Sequence, residues 1–471
     1  MLRMNKLNLT ICAILLITTV HKVIAQSDNI LENYIKIAIE SNVALKRETL
    51  NFEQSLEALK EAKRSFYPTV SLNANFQTAA GQNLFGLQIQ DQLDGFLRNL
   101  DMINNSLEQL DAPNYPDLPS YLTGNDQGLN DALNQNQQTF VRLAIPVYNA
   151  AIIENHKIKK ELVTLSKLSQ EYYKDELVKE VKTTYYHWLQ AGEIVKVFEN
   201  ALALASENVR TNRSLLNNSK ITKDGLLSAE AREAEVNQEL ITARKNQRLA
   251  QAFFNFLLNR AYDMSINQTE IDDDIINLQS LSFYEQLALS QRRDLQQIIQ
   301  LQSVREAQIG LEKATMKPRV NLAVDAGYRG NEYAFTTEDD FVAVGAQLTW
   351  NVFTFGKSKA KIQQAQLDQE IAKTLEEELI EKIKIEVVEA YLEVEAAYEQ
   401  LAAAQKEVNA SQEELKLVMR KFELGSANRL EIESAETDFQ NAQLREVAAK
   451  YNVLSQKASL ERASSSYNYE E

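Results

Sequence analysis

Proline, glycine and cysteine are all scarce in this sequence of 471 residues, which contains 6, 13 and 1 of them. Residues 147–317 and 319–471 contain no proline. Because proline costs about 3 kcal/mol and glycine about 1 kcal/mol inside a helix, these stretches predict helices much longer than usual. Apolar runs of about 20 residues, the length that a spanning helix needs, are absent after residue 25, which excludes a polytopic helical membrane protein.

The lone cysteine, Cys12, lies in a segment with the features of a signal peptide. Arg3 and Lys6 precede the mostly apolar residues 7–20, so we expect residues 1–25 to direct export and to be removed. The mature chain then has no disulfide and no thiolate metal site. Removing the three basic residues of this segment from 50 leaves 47 against 66 acidic residues, a net charge of −19. A surface this acidic repels nucleic acid, so no nucleic-acid partner is expected.

The mature sequence consists of two copies of one unit. Apolar residues recur every seven positions in two series that are 206 residues apart, namely Val195, Leu202, Val209, Leu216 and Leu401, Val408, Leu415, Phe422. Such an internal repeat predicts a duplicated structure. Pro68 and Pro318 are instead 250 residues apart, so the first copy carries about 45 additional residues. These additional residues fall in 79–138.

Periodicity assigns strands and helices to each copy. Segments in which apolar and polar residues alternate predict four strands, at about 69–78, 139–148, 319–328 and 341–353. Their length is close to the roughly 9–11 residues of a tilted strand that crosses a membrane. The remaining periodicity is helical and predicts two long helices, 150–217 and 357–424, and four of about half that length, 30–66, 222–258, 284–317 and 428–463.

These elements define the predicted domain organisation. Repeat 1 covers 26–258 and contains the long insertion 79–138, which joins two neighbouring strands; if those strands cross the membrane, the insertion is an extracellular loop. A linker, 259–283, leads to repeat 2 at 284–463, and a tail follows at 464–471. Asp272, Asp273 and Asp274 are expected to form an acidic stretch of that linker, with a cation site as the less favoured alternative.

Four strands per chain cannot close a barrel alone, and unsatisfied edges in lipid cost several kcal/mol for each backbone group. Closure therefore requires other copies of the chain, and three copies give twelve strands, an even number within the known range. The predicted fold is an α+β membrane protein with two tandem structural repeats. Its long coiled-coil-like helices form an α-barrel, and its four strands contribute to a trimeric 12-stranded β-barrel in the outer-membrane lipid bilayer.

No pattern in the sequence indicates catalysis, so we expect that the protein is not an enzyme and has no cofactor. His156 and His187 stand alone on helices, which argues against a metal site. No serine lies in a nucleophile elbow. An alternative function is an exported structural coiled-coil or adhesin-like protein without a channel, which would share the heptads but has no need for four strands at repeated positions.

Over essentially the whole mature chain the sequence resembles the outer-membrane efflux protein family, the TolC-like exit ducts. The resemblance rests on the duplicated order of elements and on Phe66-Tyr67-Pro68, Ile145-Pro146-Val147-Tyr148, Phe422-Glu423-Leu424-Gly425 and residues 430–436. It implies a passive homotrimer in the cell outer membrane that extends into the periplasm. It also implies docking to an inner-membrane pump through a periplasmic adaptor, or membrane fusion, protein. Drug efflux and type I protein secretion both remain open, because the pump carries that choice.

The resemblance further implies that the turns between long and short helices form the periplasmic mouth. The residues implied to dock the adaptor are Ser219, Lys220, Thr222, Lys223, Gly225, Gly425, Ser426 and Asn428. The family's first gate acid aligns with Glu431, and its second aligns with Ser434, beside Glu433; Arg429 is the candidate for a basic latch. A purely structural role remains an alternative for these residues. The helix dipole favours an acidic residue such as Glu431 at the start of a helix whether or not a pore exists, and the lysines of the turn can be solvated charges that bind no partner.

Overall fold

A computed structural model describes most of the chain outside its first residues. The described residues are 30–78, 102, 135–268, 278–330 and 335–467. The predicted signal peptide 1–25, the aspartates 272–274 and most of the insertion 79–138 lie outside them. The chain divides into two compact units. The helical unit comprises Met1–Leu59, Lys157–Ile309 and Gln363–Glu471, and the sheet unit comprises Lys60–His156 and Gly310–Ile362.

Helices account for most of the described chain. They are α1 (30–41), α2 (Val43–Arg64), α3 (Ala150–Asn217), α4 (Lys223–Leu257), α5 (Leu281–Gln291), α6 (Arg293–Ala314), α7 (Lys357–Glu423) and α8 (Arg429–Ser464). The two long helices, α3 and α7, have 68 and 67 residues and no proline or glycine break, apart from the tolerated Gly192. Within the described ranges, no helix has a stretch that is both long enough and apolar enough to cross a membrane.

Two of the predicted short helices are interrupted. The expected helix 30–66 is broken at Asn42, and the expected helix 284–317 is broken at Arg292. The second of these begins earlier than expected, at Leu281, because the Ser280 hydroxyl accepts a hydrogen bond from the Phe283 backbone N–H at 3.4 Å and so caps the helix. The linker expected at 259–283 is correspondingly shorter.

The break at Asn42 is held by its own side chain. Its carboxamide oxygen accepts from the backbone N–H groups of Ala44 and Leu45 at 2.9 and 3.0 Å. Its amide group donates to the carbonyl oxygen of Leu257, the last residue of α4, at 2.9 Å. Since Asn42 is only 7% exposed, it satisfies backbone groups at two helix ends that water does not reach.

Arg292 forms the equivalent break in the second repeat, 250 residues later. Its guanidinium donates to the carbonyl oxygen of Ala463, which lies 206 residues after Leu257, at 3.3 Å. It is 4% exposed and pairs with Asp294 at 2.6 Å and Glu386 at 2.7 Å. Burial opposes ionisation of Asp294, but hydrogen bonds and attraction from Arg292 outweigh it, so the pKa of the Asp294 carboxyl lies below its usual range.

An aromatic cluster forms the centre of the largest apolar core in the helical unit. Tyr185 of α3 is 1% exposed. Its ring lies 6.0 Å from that of Tyr34 and 5.5 Å from that of Phe254, measured between centroids. These residues come from α1, α3 and α4, so the cluster joins three helices of the first repeat.

The sheet unit contains four antiparallel strands in the order in which they occur along the chain. They are β1 (Thr69–Thr78), β2 (Gln135–Asn149), β3 (Arg319–Gly330) and β4 (Asp340–Thr349).

The ends of two strands differ from those expected. β2 begins four residues earlier than expected because Gln137 pairs with Phe76 and is fully buried. β4 ends four residues earlier than expected, where the Trp350 indole N–H donates to the Met316 carbonyl at 2.9 Å. β2 also has a bulge between Pro146 and Tyr148.

The register places apolar residues on one face of the sheet and mostly polar residues on the other. Val70, Leu143, Val324 and Val344 form one row across all four strands on what we call the apolar face. The next row, on the polar face, contains Ser71, Arg142, Asp325 and Ala343. The apolar face is exposed rather than packed on a core: Val70 is 71% and Val344 is 69% exposed.

Candidate functional site

The turn after α3 reverses the chain through a left-handed residue. Ser219 has φ +56°. Its N–H donates to the Leu216 carbonyl at 2.8 Å, and the N–H of Lys220 donates to the Leu215 carbonyl at 2.9 Å. This pair of hydrogen bonds is the Schellman arrangement, which satisfies the last carbonyls of a helix.

The turn after α7 has the same hydrogen bonds 206 residues later. Gly425 has φ +75° and its N–H donates to the Phe422 carbonyl at 2.9 Å. The N–H of Ser426 donates to the Lys421 carbonyl at 2.8 Å. The two turns are therefore equivalent in backbone structure, with serine at the left-handed position of one and glycine at that of the other.

The helices that follow the turns start differently. Asn428 and Glu431 form a capping box: the Asn428 side chain accepts from the Glu431 N–H at 3.0 Å, and the Glu431 carboxylate accepts from the Asn428 N–H at 3.2 Å. Thr222 occupies the equivalent N-cap position of α4, but its side chain makes no capping hydrogen bond. Instead, hydrogen bonding from Thr222 is the largest cause that lowers the pKa of the exposed Asp224 carboxyl.

Arg429 connects the two turns. Its guanidinium donates to the Glu433 carboxylate at 2.8 Å on its own helix and to the Asn212 carboxamide oxygen at 3.0 Å near the end of α3. It also donates to the carbonyl oxygen of Gly225 in the first turn of α4. One cation at the start of α8 therefore holds together the ends of α3, α4 and α8.

The other predicted gate residues lie near this bridge. Glu431 is exposed, and the exposed Ser434 hydroxyl lies 3.5 Å from the Asp438 carboxylate. Glu433 is half-buried beside Glu436, which sequence reasoning missed. Burial and then the charge of Glu433 raise the pKa of the Glu436 carboxyl above its usual range. Its spacing of three residues from Glu433 on a helix was the signal that could have identified it.

The residues predicted to dock an adaptor form the outer surface of the turns. Ser219, Lys220, Thr222 and Lys223 are exposed, as are Gly425, Ser426 and Asn428, whereas Gly225 is half-buried under Arg429. Lys220 and Lys223 form no ion pair with another residue in the described ranges. Lys223 is the counterpart of Arg429 in the repeat, so the same position is a free cation in one turn and the bridging cation in the other.

The sheet unit offers a second functional surface. Its apolar face is exposed, and β1 and β4 each have a second edge that pairs with no other strand in the described part of the chain. A soluble protein rarely leaves a large apolar surface or a long strand edge uncovered, because both promote association. The sheet therefore requires an apolar environment and neighbouring strands.

No metal centre is present in the part of the chain that the structure describes, since no three His, Cys, Asp or Glu side chains are grouped to bind an ion.

Comparison with known proteins identifies the same architecture elsewhere. Residues 285–465 match the family model of the outer membrane efflux proteins. No curated protein sequence matches the chain. These findings confirm the family resemblance that the sequence indicates.

Solved structures of bacterial outer-membrane channels have the same fold. The Campylobacter jejuni CmeC channel is 15% identical with a TM-score of 0.71, covering 92% of this chain and 85% of that chain. The Vibrio cholerae outer membrane protein VceC is 14% identical with a TM-score of 0.69, covering 92% and 95%. The open state of the Neisseria gonorrhoeae MtrE channel is 19% identical with a TM-score of 0.67, covering 92% and 88%. The predicted fold of long helices and four strands is therefore confirmed.

Proposed function

We propose that this chain, which resembles the outer membrane efflux proteins and matches their family model over residues 285–465, is an efflux-type outer-membrane channel that extends into the periplasm. Three copies form the exit duct of a tripartite efflux or type I secretion system. The duct is passive. Substrate moves through the lumen, driven by an inner-membrane pump that is joined to the duct by a periplasmic adaptor.

The sheet carries this proposal. Its exposed apolar face suits contact with lipid, and its polar face suits contact with water in a lumen. The outer edges of β1 and β4, which pair with no other described strand, require strands from neighbouring copies, because an open edge in hydrocarbon costs several kcal/mol for each unsatisfied group. Three chains with four strands each give a closed barrel of twelve.

The helical unit also supports assembly with other copies. α7 exposes large apolar side chains along its length, among them Leu367 at 53%, Ile385 at 66% and Leu392 at 54%. A helix that is apolar on its outer surface normally packs against another helix. We assign this surface to contact with the next protomer.

We place the periplasmic entrance at the two helix turns. Three copies of Glu431 around a threefold axis repel one another and attract cations, which is how a charged ring biases permeation. Glu433, Ser434 and Arg429 complete the gate, and Arg429 latches it by bridging to Gly225 and Asn212. The exposed turn residues around Lys220, Lys223 and Ser426 dock the adaptor.

The assembly is tested by extraction. We expect the protein to be recovered from outer membranes in detergent as a homotrimer that forms ion channels in planar bilayers. Recovery as a soluble periplasmic rod would contradict the duct and favour the structural coiled-coil alternative.

The gate is tested with three variants that separate charge from helix capping. Glu431→Gln removes the charge but keeps a side chain that completes a capping box. Glu431→Ala removes both, and Asn428→Ala removes the cap but keeps the charge. We expect both Glu431 variants, but not Asn428→Ala, to reduce cation preference, measured as the reversal potential in a KCl gradient. Unchanged selectivity and conductance in Glu431→Gln would exclude Glu431 from the gate.

A further inference from the structure

The polar face of the sheet is basic although the chain as a whole is strongly acidic, with a formal net charge of −16. In the described strands this face contains Arg142, Arg319 and Arg329, and its one acidic residue is Asp325. Each copy of the sheet therefore presents an excess of positive charge on the face opposite the apolar one.

Two aromatic rings meet on the same face. Phe140 of β2 and Phe341 of β4 are both paired with Gly327 of β3, which lies between them. Their ring centroids are 6.1 Å apart in an edge-to-face arrangement. A Cβ at Gly327 would overlap the Thr139 carbonyl oxygen and the Phe140 Cα, so only glycine allows β3 to approach β2 this closely beside the rings.

An arginine guanidinium lies close to each of the two rings. The Arg142 guanidinium lies 5.2 Å from the centroid of Phe140 and is neutralised by two hydrogen bonds of 2.8 Å to Asp325. The Arg329 guanidinium lies 5.1 Å from the centroid of Phe341 and forms no ion pair with any described residue. Cation–π contact orients Arg329 without cancelling its charge, so its N–H groups remain available to an anion.

We propose that Arg142, Arg329, Phe140 and Phe341, here called the cationic belt, form a subsite for anionic solutes that carry an aromatic ring. The proposal rests on the proposed function, because it requires the polar face to line the lumen. Arg329 supplies a planar donor group that suits a carboxylate, while the phenylalanine pair offers ring edges and faces to the flat apolar part of the solute. Three copies place three such subsites around the lumen.

The experiment uses the full-length trimer in planar bilayers with benzoate and acetate as probes. The variant is Arg329→Gln, and the matched control is Arg319→Gln. Arg319 lies on the same face of β3, undergoes the same change of charge, and makes no cation–π contact with a ring in the described chain. The readouts are the chloride-to-potassium permeability ratio and the concentration of benzoate that halves the chloride current.

We expect benzoate to block the native channel at lower concentration than acetate does. Arg329→Gln should weaken the benzoate block by roughly tenfold, the factor that corresponds to about 1.4 kcal/mol, and Arg319→Gln should leave it within about twofold of native. If the two variants weaken the benzoate block equally, the block depends only on the net positive charge of the polar face, and the proposal is overturned. Absence of channels from the native protein would instead contradict the proposed function.

Discussion

The two long helices have nearly the same length and align at a constant offset, yet they differ in the residues that they expose. The exposed large apolar residues of α3 are Ile153 and Leu204. Those of α7 are Leu367, Ile371, Leu375, Ile385, Leu392, Leu417, Met419 and Phe422. At five of the aligned positions, 206 residues earlier, α3 has the polar or charged side chains Glu161, Ser169, Lys179, Thr211 and Arg213.

This difference shows that the two repeats share the long helix but not the residues on its surface. Polar residues in α3 are suited to water or to a polar lumen, whereas apolar residues at the same positions in α7 are suited to another protein surface. The asymmetry between repeats supports the proposal that α7 is the helix in contact with the next copy.

The largest expected effect comes from a charge placed on the exposed surface of α7. Ile385→Asp buries an unpaired carboxylate in the proposed contact between protomers, which costs enough to prevent assembly. We expect the trimer to be lost, measured by light scattering in detergent.

The control for this change is Thr211→Asp, which places the same charge on an exposed position of α3. It should leave the trimer intact. A stable Ile385→Asp trimer would show that α7 is not an interface and would remove the distinction between the two helices.

An effect of intermediate size is expected at the two helix breaks, Asn42 and Arg292. Arg292→Ala leaves the half-buried carboxylates of Asp294 and Glu386 without the buried guanidinium that pairs with both, and we expect a loss of about 3–5 kcal/mol in the free energy of unfolding. Asn42→Ala removes only neutral hydrogen bonds and should cost about 1–3 kcal/mol. Denaturant unfolding in detergent measures both losses. Equal losses would show that the ion pairs of Arg292 add no stability beyond that of the neutral hydrogen bonds at Asn42.

The smallest effect is expected in the left-handed turn residues. Ser219→Gly relieves a non-glycine residue at φ +56° and should stabilise its turn by about 1 kcal/mol. Gly425→Ala imposes the same strain on the other turn and should destabilise it by a similar amount. Thermal unfolding measures the shift, and changes of the same sign in both variants would contradict the equivalence of the turns.

Much of the fold could be predicted from the sequence because it depends on local periodicity. The repeat, the four strands and the long helices follow from apolar spacing alone. The helix breaks at Asn42 and Arg292 could not be predicted, because each is fixed by a carbonyl group far away in the chain, at Leu257 and Ala463. Arginine is a good helix former, so no local signal marked the second break.

The candidate site shows the same division. The turns and the helix cap at Asn428 could be predicted from residue type. The bridge from Arg429 to Asn212 and Gly225 could not, because its partners lie more than 200 residues away. The aromatic pair over Gly327 was missed for a similar reason, since it joins β2 to β4 across a third strand. The gate role of Glu431 stays a prediction.

The unpaired strand edges have a consequence for the biogenesis of the protein. In the described part of the chain, the outer edges of β1 and β4 present backbone N–H and C=O groups to which another strand can pair, whether from a second copy or from an unrelated polypeptide. Correct closure thus competes with off-pathway aggregation, and the outcome depends on how quickly identical chains meet. Under the proposed trimeric assembly, the yield of finished channels therefore depends on the rate at which chains meet as well as on the stability of the folded chain.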